Sequence, residues 1–228
     1  MLREFIDLVI MQLKTIKAYL AVVLFFSILY PIGFLVAFGS ISNKEFSPYL
    51  IAGTITFDIS LGVTTFVAQT LATERRTGRF SLMVATGIPK EVYSIGIALS
   101  QGLNEILPII VILLVGIYFL RLQVASIPYL IIAIIASIFM GSMFGMTLGL
   151  GIRNTQAAYQ YPTIISFALT LFAPVYFPIT FIPMPFRYLA YLEPTTYVSQ
   201  AVYNAFKGNP VSLLWSLGIV IIGVIFVI

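Results

Sequence analysis

The sequence contains no cysteine and no histidine among its 228 residues. These absences exclude disulfide bonds, thiol chemistry, histidine acid/base catalysis and the usual zinc ligand sets. No lysine follows a glycine, so the phosphate-binding loop G-x-x-x-x-G-K-[ST] is missing and the chain cannot be an ATPase. Neither a nucleophile–base pair nor a metal ligand set is visible, so the sequence indicates no enzyme, no metal site and no cofactor of its own.

Charged residues are also scarce. They make up 9% of the chain, against roughly 25% in a typical soluble domain, whereas 60% of residues are hydrophobic and the mean hydropathy is +1.06. The net charge of +4 does not indicate nucleic-acid binding, because the basic residues lie mainly at loop ends. The composition predicts an all-α membrane protein that crosses the bilayer several times, as a single transmembrane domain over residues 1–228.

Six apolar segments are candidates for transmembrane helices. We predict spans at residues 18–38, 49–72, 92–120, 127–152, 159–176 and 210–228. Pro31 and Gly33 are expected to bend the first span, and Pro108 is expected to break the third. In the fourth span, glycines at positions 141, 145 and 149 form two G-x-x-x-G steps, which predict close helix packing within the subunit.

The first 17 residues are amphipathic rather than continuously apolar. Apolar residues recur at helical spacing, while Arg3, Asp7, Lys14 and Lys17 fall on the opposite side. This pattern predicts an interfacial helix over residues 1–17 with its lysines near lipid headgroups. The alternative is a solvent-facing leader that merely precedes the first span.

The basic residues predict the orientation of the chain. Six spans place both termini on the same side of a cell membrane. If that side is the cytosol, eight basic residues lie inside: Arg3, Lys14, Lys17, Arg75, Arg76, Arg79, Lys90 and Arg153. Four lie outside: Lys44, Arg121, Arg187 and Lys207. The positive-inside rule therefore favours cytosolic termini and a cytosolic loop at residues 73–91.

That loop is the longest polar interruption in the chain. Its central part mixes apolar with small polar residues, which predicts a short helix, Arg79–Ala85, on the membrane surface. Gly78 before it and Gly87 with Pro89 after it supply the breaks. The helix could bind a cytosolic partner. Alternatively, the loop could only connect two spans, with basic residues that set the orientation of the protein in the membrane.

A proline-rich apolar segment over residues 178–208 differs from the spans. Pro183 and Pro185 prevent one straight helix, so we predict two short helices that re-enter the outer leaflet, at about 185–192 and 195–206. Thr195 or Thr196 is expected to cap the second helix. An ordinary outer loop is the alternative, although a solvated loop of this length would be more polar.

Polar residues inside the predicted spans are candidates for a translocation pathway. Asp58 and Glu105 both lie near mid-depth, where a charge costs about 2.5 to 3.5 kcal/mol. Such residues either line a wet pathway or hydrogen-bond neighbouring helices and hold the bundle together. The candidate set is Asp58, Gln101, Asn104, Glu105, Thr163, Ser166 and Thr170.

Two stretches of the sequence resemble segments of known proteins. ERRTGRFSLMVAT followed by GIPKEVYSIGIAL resembles the coupling segment between the second and third spans of one family, the type-2 ABC exporter permeases. FAPVYFPITFIPMPFRYLAYLEPTTYVSQAVYNAF resembles its outer re-entrant segment, with matching positions at Pro178, Pro183, Pro194 and Tyr197. The six spans and the amphipathic lead-in are also similar, so the resemblance covers nearly the whole chain.

The resemblance implies a permease subunit that works as a dimer, with a second permease copy, and with two ATP-binding subunits that bind ATP and magnesium. It implies that residues 74–85 dock on the ATP-binding subunit, with contact residues Glu74, Arg75, Arg76, Gly78, Arg79, Phe80, Leu82 and Met83. ATP-driven closure of the partners would then move the spans as rigid bodies within the membrane lipid.

The substrate is open at this stage. A hydrophobic or amphipathic molecule such as a lipid, drug or peptide is the first hypothesis, and a lipid-linked polysaccharide is the second. A third hypothesis, from another class, is an ion-coupled carrier that uses Asp58 and Glu105 as proton or sodium sites.

Overall fold

The computed structural model describes residues 25, 29–39 and 46–226, and over these residues the chain is helical without a β-strand, which confirms the all-α class. The predicted helix at 1–17 and most of the first span lie outside the described residues. The bend at Pro31 stays a prediction, because the residues at 26–28 that precede it are also outside them. The helices are α1 (Tyr30–Gly39), α2 (Ser47–Arg76), α3 (Arg79–Ala85), α4 (Lys90–Asn104), α5 (Ile106–Tyr118), α6 (Ile127–Gly151), α7 (Thr155–Phe172), α8 (Phe186–Leu192), α9 (Pro194–Phe206) and α10 (Val211–Ile225).

Helix α2 is the centre of the bundle. It packs along α6 and α7 and also contacts α4, α5 and α9. Two of its buried hydroxyl side chains are satisfied within the helix, because Thr54 and Thr56 donate to the carbonyls one turn earlier, at 2.8 and 2.7 Å. These two threonines can therefore lie deep in an apolar environment without an unpaired donor.

The glycine stripe of α6 lies against α2. A Cβ atom at Gly145 would lie 2.6 Å from the carbonyl oxygen of Thr64, and one at Gly149 would lie 2.9 Å from the Cα of Ala68. Thr64 also donates from its hydroxyl to the carbonyl of Gly141 at 3.2 Å. The predicted close packing within the subunit is thus present, and it brings the two helix backbones together.

Among residues 25, 29–39 and 46–226, three helical segments are long and apolar enough to cross a membrane: Ser47–Arg76, Lys90–Tyr118 and Ile127–Gly151. They correspond to the second, third and fourth predicted spans. Helix α10 is a shorter apolar helix of 15 residues. Large apolar side chains on the outer faces of α5, α6, α7 and α10 are exposed, as lipid contact requires. The complete six-span arrangement stays a prediction.

The predicted bounds of two helices are wrong because turn chemistry decides where these helices begin and end. Helix α2 continues through Arg76, four residues past its predicted end, because the helix stops only where Gly78 adopts a φ of 76°. Helix α7 covers residues 155–172 rather than 159–176. It begins after Asn154, whose side chain accepts from two backbone amides, and it ends before Pro174, which disfavours helical geometry at Ala173.

The third span is broken as predicted, but at Glu105 rather than at Pro108 itself. Proline has no amide hydrogen and its ring crowds the carbonyl four residues earlier, so the disruption appears one turn before the proline. The break separates α4 from α5 and places Glu105 between them.

The outer segment contains both short helices near their predicted positions, α8 and α9. Their re-entry into the membrane stays a prediction. The predicted threonine cap is wrong: Glu193 occupies the N-cap position without a side-chain cap, and Thr195 and Thr196 lie buried inside α9. Helix α9 starts one residue earlier because Pro194 suits the first helical position.

Candidate functional site

Helix α3 has two unlike faces. Phe80 and Met83 are partly buried and pack against the apolar core, whereas Leu82 is 63% exposed. The ring of Phe80 meets the ring of Tyr93 edge to face, with centroids 5.6 Å apart. One side of α3 therefore packs against the bundle. The other side is exposed, since none of the described residues covers it.

A buried carboxylate joins α3 to both neighbouring helices. Glu74, 6% exposed at the end of α2, accepts a hydrogen bond of 3.0 Å from the guanidinium of Arg79 in α3. Its other oxygen accepts a bond of 2.8 Å from the hydroxyl of Tyr93 in α4. Charge-assisted bonds of this length are among the stronger ones in proteins, so the three helix ends are held as one unit.

Arg75 extends this unit to α6. Its guanidinium donates to the carbonyls of Gly149, Leu150 and Ile152, at 2.7, 3.3 and 2.9 Å. These carbonyls lie at the C-terminal end of α6, where the helix leaves its last acceptors unpaired and carries partial negative charge. The arginine thus ties the same end of α2 to the same end of α6.

The structure places the predicted contact residues in two groups. Exposed residues, available to a partner, are Arg76, Gly78, Arg79 and Leu82. Residues engaged with the chain itself are Glu74, Arg75, Phe80 and Met83. Arg79 belongs to both, because it is half exposed and also bonds Glu74. Contact with a partner stays a prediction for all of them.

A second candidate site is a cavity of about 700 Å³ beside α2 and α7. Its walls are mainly apolar, and the polar groups come from Asp58, Thr65, Gln69, Glu105 and Thr163. The lining residues are Phe57, Asp58, Leu61, Gly62, Thr65, Phe66, Gln69, Glu105, Thr163, Ile164, Phe167, Ala168, Leu171 and Phe172. A volume of this size suits a small molecule, since such sites span about 300 to 1,000 Å³.

Glu105 reaches α2 because Gly62 leaves room for it. A Cβ atom at Gly62 would lie 2.5 Å from Oε1 of Glu105. Glu105 is 5% exposed and its carboxyl lies beside that of Asp58. The helix break at Glu105 and the missing side chain at Gly62 together place two carboxyl groups side by side at the cavity wall.

The other predicted pathway residues are divided between cavity and bundle. Thr163 lines the cavity. Gln101 donates to Thr70 at 3.2 Å and accepts from Asn104 at 3.3 Å, which ties α4 to α2. Ser166 and Thr170 are buried within α7, and Thr170 donates to the carbonyl of Ser166 at 2.9 Å. The structure therefore brings Asp58, Glu105 and Thr163 together and leaves the remaining four outside the cavity.

The sequence did not predict that Tyr93 bonds Glu74 beside α3. It also did not predict most of the residues that line the cavity. The wall residues of α2 lie at helical spacing from Asp58, at positions 58, 61, 62, 65, 66 and 69. Following this period from Asp58 would have found them. The contribution of α7 and the role of Tyr93 depend on packing between helices, which leaves no local sequence signal.

Comparison with known proteins identifies one family. The model of the family described as ABC-2 type transporter matches residues 3–207. None of the curated proteins compared with the chain matches it.

Proposed function

The chain belongs to the ABC-2 type transporter family, and we propose that it is the permease subunit of an ATP-driven exporter, docked through α3 on a separate ATP-binding subunit. The observation that carries this proposal is the bonding of Glu74 to both Arg79 and Tyr93. A helix that receives force from outside must be joined to the spans, and this carboxylate joins it to two of them. The ATP-binding subunit would supply the nucleotide and magnesium chemistry for which this sequence has no phosphate-binding loop.

The path of the force follows from the contacts. A partner that pushes on the exposed side of α3 moves α2 and α4 together through Glu74, and the ring contact between Phe80 and Tyr93 adds a second connection. Arg75 passes the movement to α6. Helices tied at one end move as rigid bodies, which is the motion that alternating access needs.

The lining of the cavity supports one class of substrate over another. Its mainly apolar walls favour a hydrophobic or amphipathic molecule over a polysaccharide, whose hydroxyls would need polar partners along the whole wall. In this proposal two permease copies form the pathway in a cell membrane, with lipid around them and the termini in the cytosol. We do not propose the ion-coupled carrier, because the family is one of ABC transporters.

Because the chain has no cysteine, one introduced cysteine gives a unique cross-linking site. Leu82→Cys on α3 should cross-link to a co-purifying subunit that hydrolyses ATP. The matched control is Leu192→Cys, also exposed, at 77%, but in the outer segment, and it should give no such product. ATP hydrolysis by the purified permease alone, or labelling of Leu82→Cys from outside intact cells, would contradict the proposal.

A further inference from the structure

We propose that the cavity beside α2 and α7 binds a lipophilic ammonium ion, an amine of positive charge on an apolar body, as the substrate that the permease carries. This inference rests on the proposed permease function and makes its substrate class specific. Its basis is the pair of carboxyl groups of Asp58 and Glu105 at the cavity wall, with the hydroxyl of Thr65 about two turns further along α2 and mainly aromatic and aliphatic walls elsewhere.

The polar groups are short of donors. Oδ2 of Asp58 and Oγ1 of Thr65 are both buried and have no hydrogen-bond partner within the described part of the chain. Thr65 is only 8% exposed, and it lines the cavity together with Glu105. Buried polar atoms are rarely left unpaired, so each such atom at a cavity points to a missing partner. An ammonium group brings up to three N–H donors and no acceptor, which is the complement of this set.

Charge points to the same occupant. The carboxyls of Asp58 and Glu105 lie side by side, so an anion would be repelled and a neutral lipid would leave the acceptors unpaired. An ammonium group beside this pair is attracted by its charge and donates to Oδ2 of Asp58, the carboxyl oxygen without a partner in the described part of the chain. In a low-dielectric site, this attraction exceeds its value in water several-fold.

The remaining walls fit the body of such a molecule. Four phenylalanine rings, Phe57, Phe66, Phe167 and Phe172, line the cavity with leucine, isoleucine and alanine side chains. Phenylalanine faces attract a nearby cation and also bury apolar surface. A bare metal ion would find few oxygen ligands along these walls, whereas an amine with an aryl or alkyl body contacts both parts.

The probe for a direct test is dansylcadaverine, a primary amine on an aromatic body whose fluorescence rises in an apolar site. The full chain in lipid nanodiscs is titrated with it, and empty nanodiscs of the same lipid are subtracted. The neutral analogue, N-acetylated dansylcadaverine, has the same body without the charge. We expect the cation to bind at least about tenfold more tightly than the neutral analogue, since one buried charge pair gives more than this.

Variants test whether the carboxyl groups and Thr65 cause the preference for the charged probe over the neutral one. Asp58→Asn combined with Glu105→Gln should abolish it, and Thr65→Val should weaken cation binding several-fold while the neutral probe is unaffected. The matched control is Glu91→Gln, the same chemical change at a carboxyl that is 65% exposed, and it should keep the preference. Should the double variant fail to fold, as judged by thermal unfolding, Asp58→Asn and Thr65→Val singly carry the same test.

Two outcomes overturn the inference: equal binding of the charged and neutral probes, or an unchanged preference in the folded carboxyl variants. The assay contains no ATP-binding subunit, so its result is separate from the cross-linking at position 82. Cross-linking without cation preference would refute the substrate class alone. Cation preference without cross-linking would refute the docking of α3 and leave the binding site standing.

Discussion

The hydroxyl of Tyr93 donates a hydrogen bond of 2.8 Å to Oε2 of Glu74, 19 residues earlier in the chain. The two residues lie on either side of α3, at the end of α2 and the start of α4. Their contact closes the loop that carries α3, and Arg79 on α3 bonds the other oxygen of the same carboxylate. A single buried carboxylate therefore sets the position of the helix that we propose receives the ATP-binding subunit.

Replacing Tyr93→Phe removes this hydrogen bond and keeps the ring that contacts Phe80. We expect the free energy of unfolding to fall by about 1.5 to 3 kcal/mol, because a bond to a buried charged group is lost. ATP hydrolysis by the assembled complex should become less dependent on substrate. Thermal unfolding and substrate-stimulated hydrolysis measure the two effects.

The control for that change is Tyr118→Phe, which removes a hydroxyl from a ring that is 81% exposed. It should leave both quantities unchanged. An equal loss of stability in the two variants would mean that the hydrogen bond to Glu74 contributes no more to the free energy of unfolding than an exposed hydroxyl does.

Arg75→Gln tests the connection to α6. The change removes a guanidinium that donates to three carbonyls at the end of that helix. We expect a loss of about 2 kcal/mol in the free energy of unfolding, since those carbonyls lose charged donors. Arg76→Gln, one residue later and exposed, should change the stability little but should weaken docking of the ATP-binding subunit, measured by co-purification. A reversal of the two effects would show that Arg75, rather than Arg76, faces the partner.

Much of this contact unit is visible in the sequence, and the part that is not depends on packing. The onset of charge after Ala72 and the glycines at positions 78 and 87 predict the short helix α3 within its observed bounds. The family resemblance also implies that Glu74 and Arg75 are among the residues that contact the partner. They turn inward because α2 continues to Arg76 and presents them to α4 and α6.

The cavity shows the same division. Asp58 and Glu105 stand out as acidic residues in apolar segments, so the sequence identifies both as functional or bundle-holding groups. Their meeting depends on the helix break before Pro108 and on the absence of a side chain at Gly62. Neither feature produces a repeating pattern in the sequence. The spacing of residues therefore cannot predict that these two carboxyl groups lie side by side.

Gly145→Ala tests the close approach of α6 to α2. The added Cβ would lie 2.6 Å from the backbone oxygen of Thr64, which cannot rotate away as a side chain could. We expect overpacking to lower the free energy of unfolding by about 1 to 3 kcal/mol. Gly151→Ala, at the end of the same helix with nothing within 4 Å of its Cβ position, should be neutral or slightly stabilising. Denaturant or thermal unfolding of the two variants decides the comparison.

Gly62→Ala tests whether the glycine is needed for the carboxyl of Glu105. The added Cβ would lie 2.5 Å from Oε1, so the carboxyl must move or the helices must separate. We expect weaker binding of the cationic probe and a lower midpoint of thermal unfolding. In the background of Glu105→Ala, which removes the obstacle, the same change should cost little stability. Equal effects in both backgrounds would show that the two residues do not interact.

The carboxyl of Glu193, before α9, predicts a pH dependence of stability. Burial raises the pKa of this group from 4.5 to about 7, and the hydrogen bond that Thr195 donates at 3.2 Å opposes the rise. Because the folded state favours the protonated form, the contribution to stability is greatest below the unfolded pKa of 4.5 and is lost as the pH rises to about 7. Relative to Glu193→Gln, whose side chain is neutral throughout, the wild type should therefore lose stability between these two values and change no further above them.

The measurement is the midpoint of thermal unfolding of the purified chain, compared between wild type and Glu193→Gln at closely spaced pH values. Subtraction of the two curves removes the titration of all other groups that they share. Thr195→Val provides the second variant: without the opposing hydrogen bond, the pKa of Glu193 should rise further. The loss of stability should then extend to higher pH. Parallel curves for the wild type and Glu193→Gln would show that the folded and unfolded states bind this proton equally, which is incompatible with a carboxyl desolvated at the start of α9.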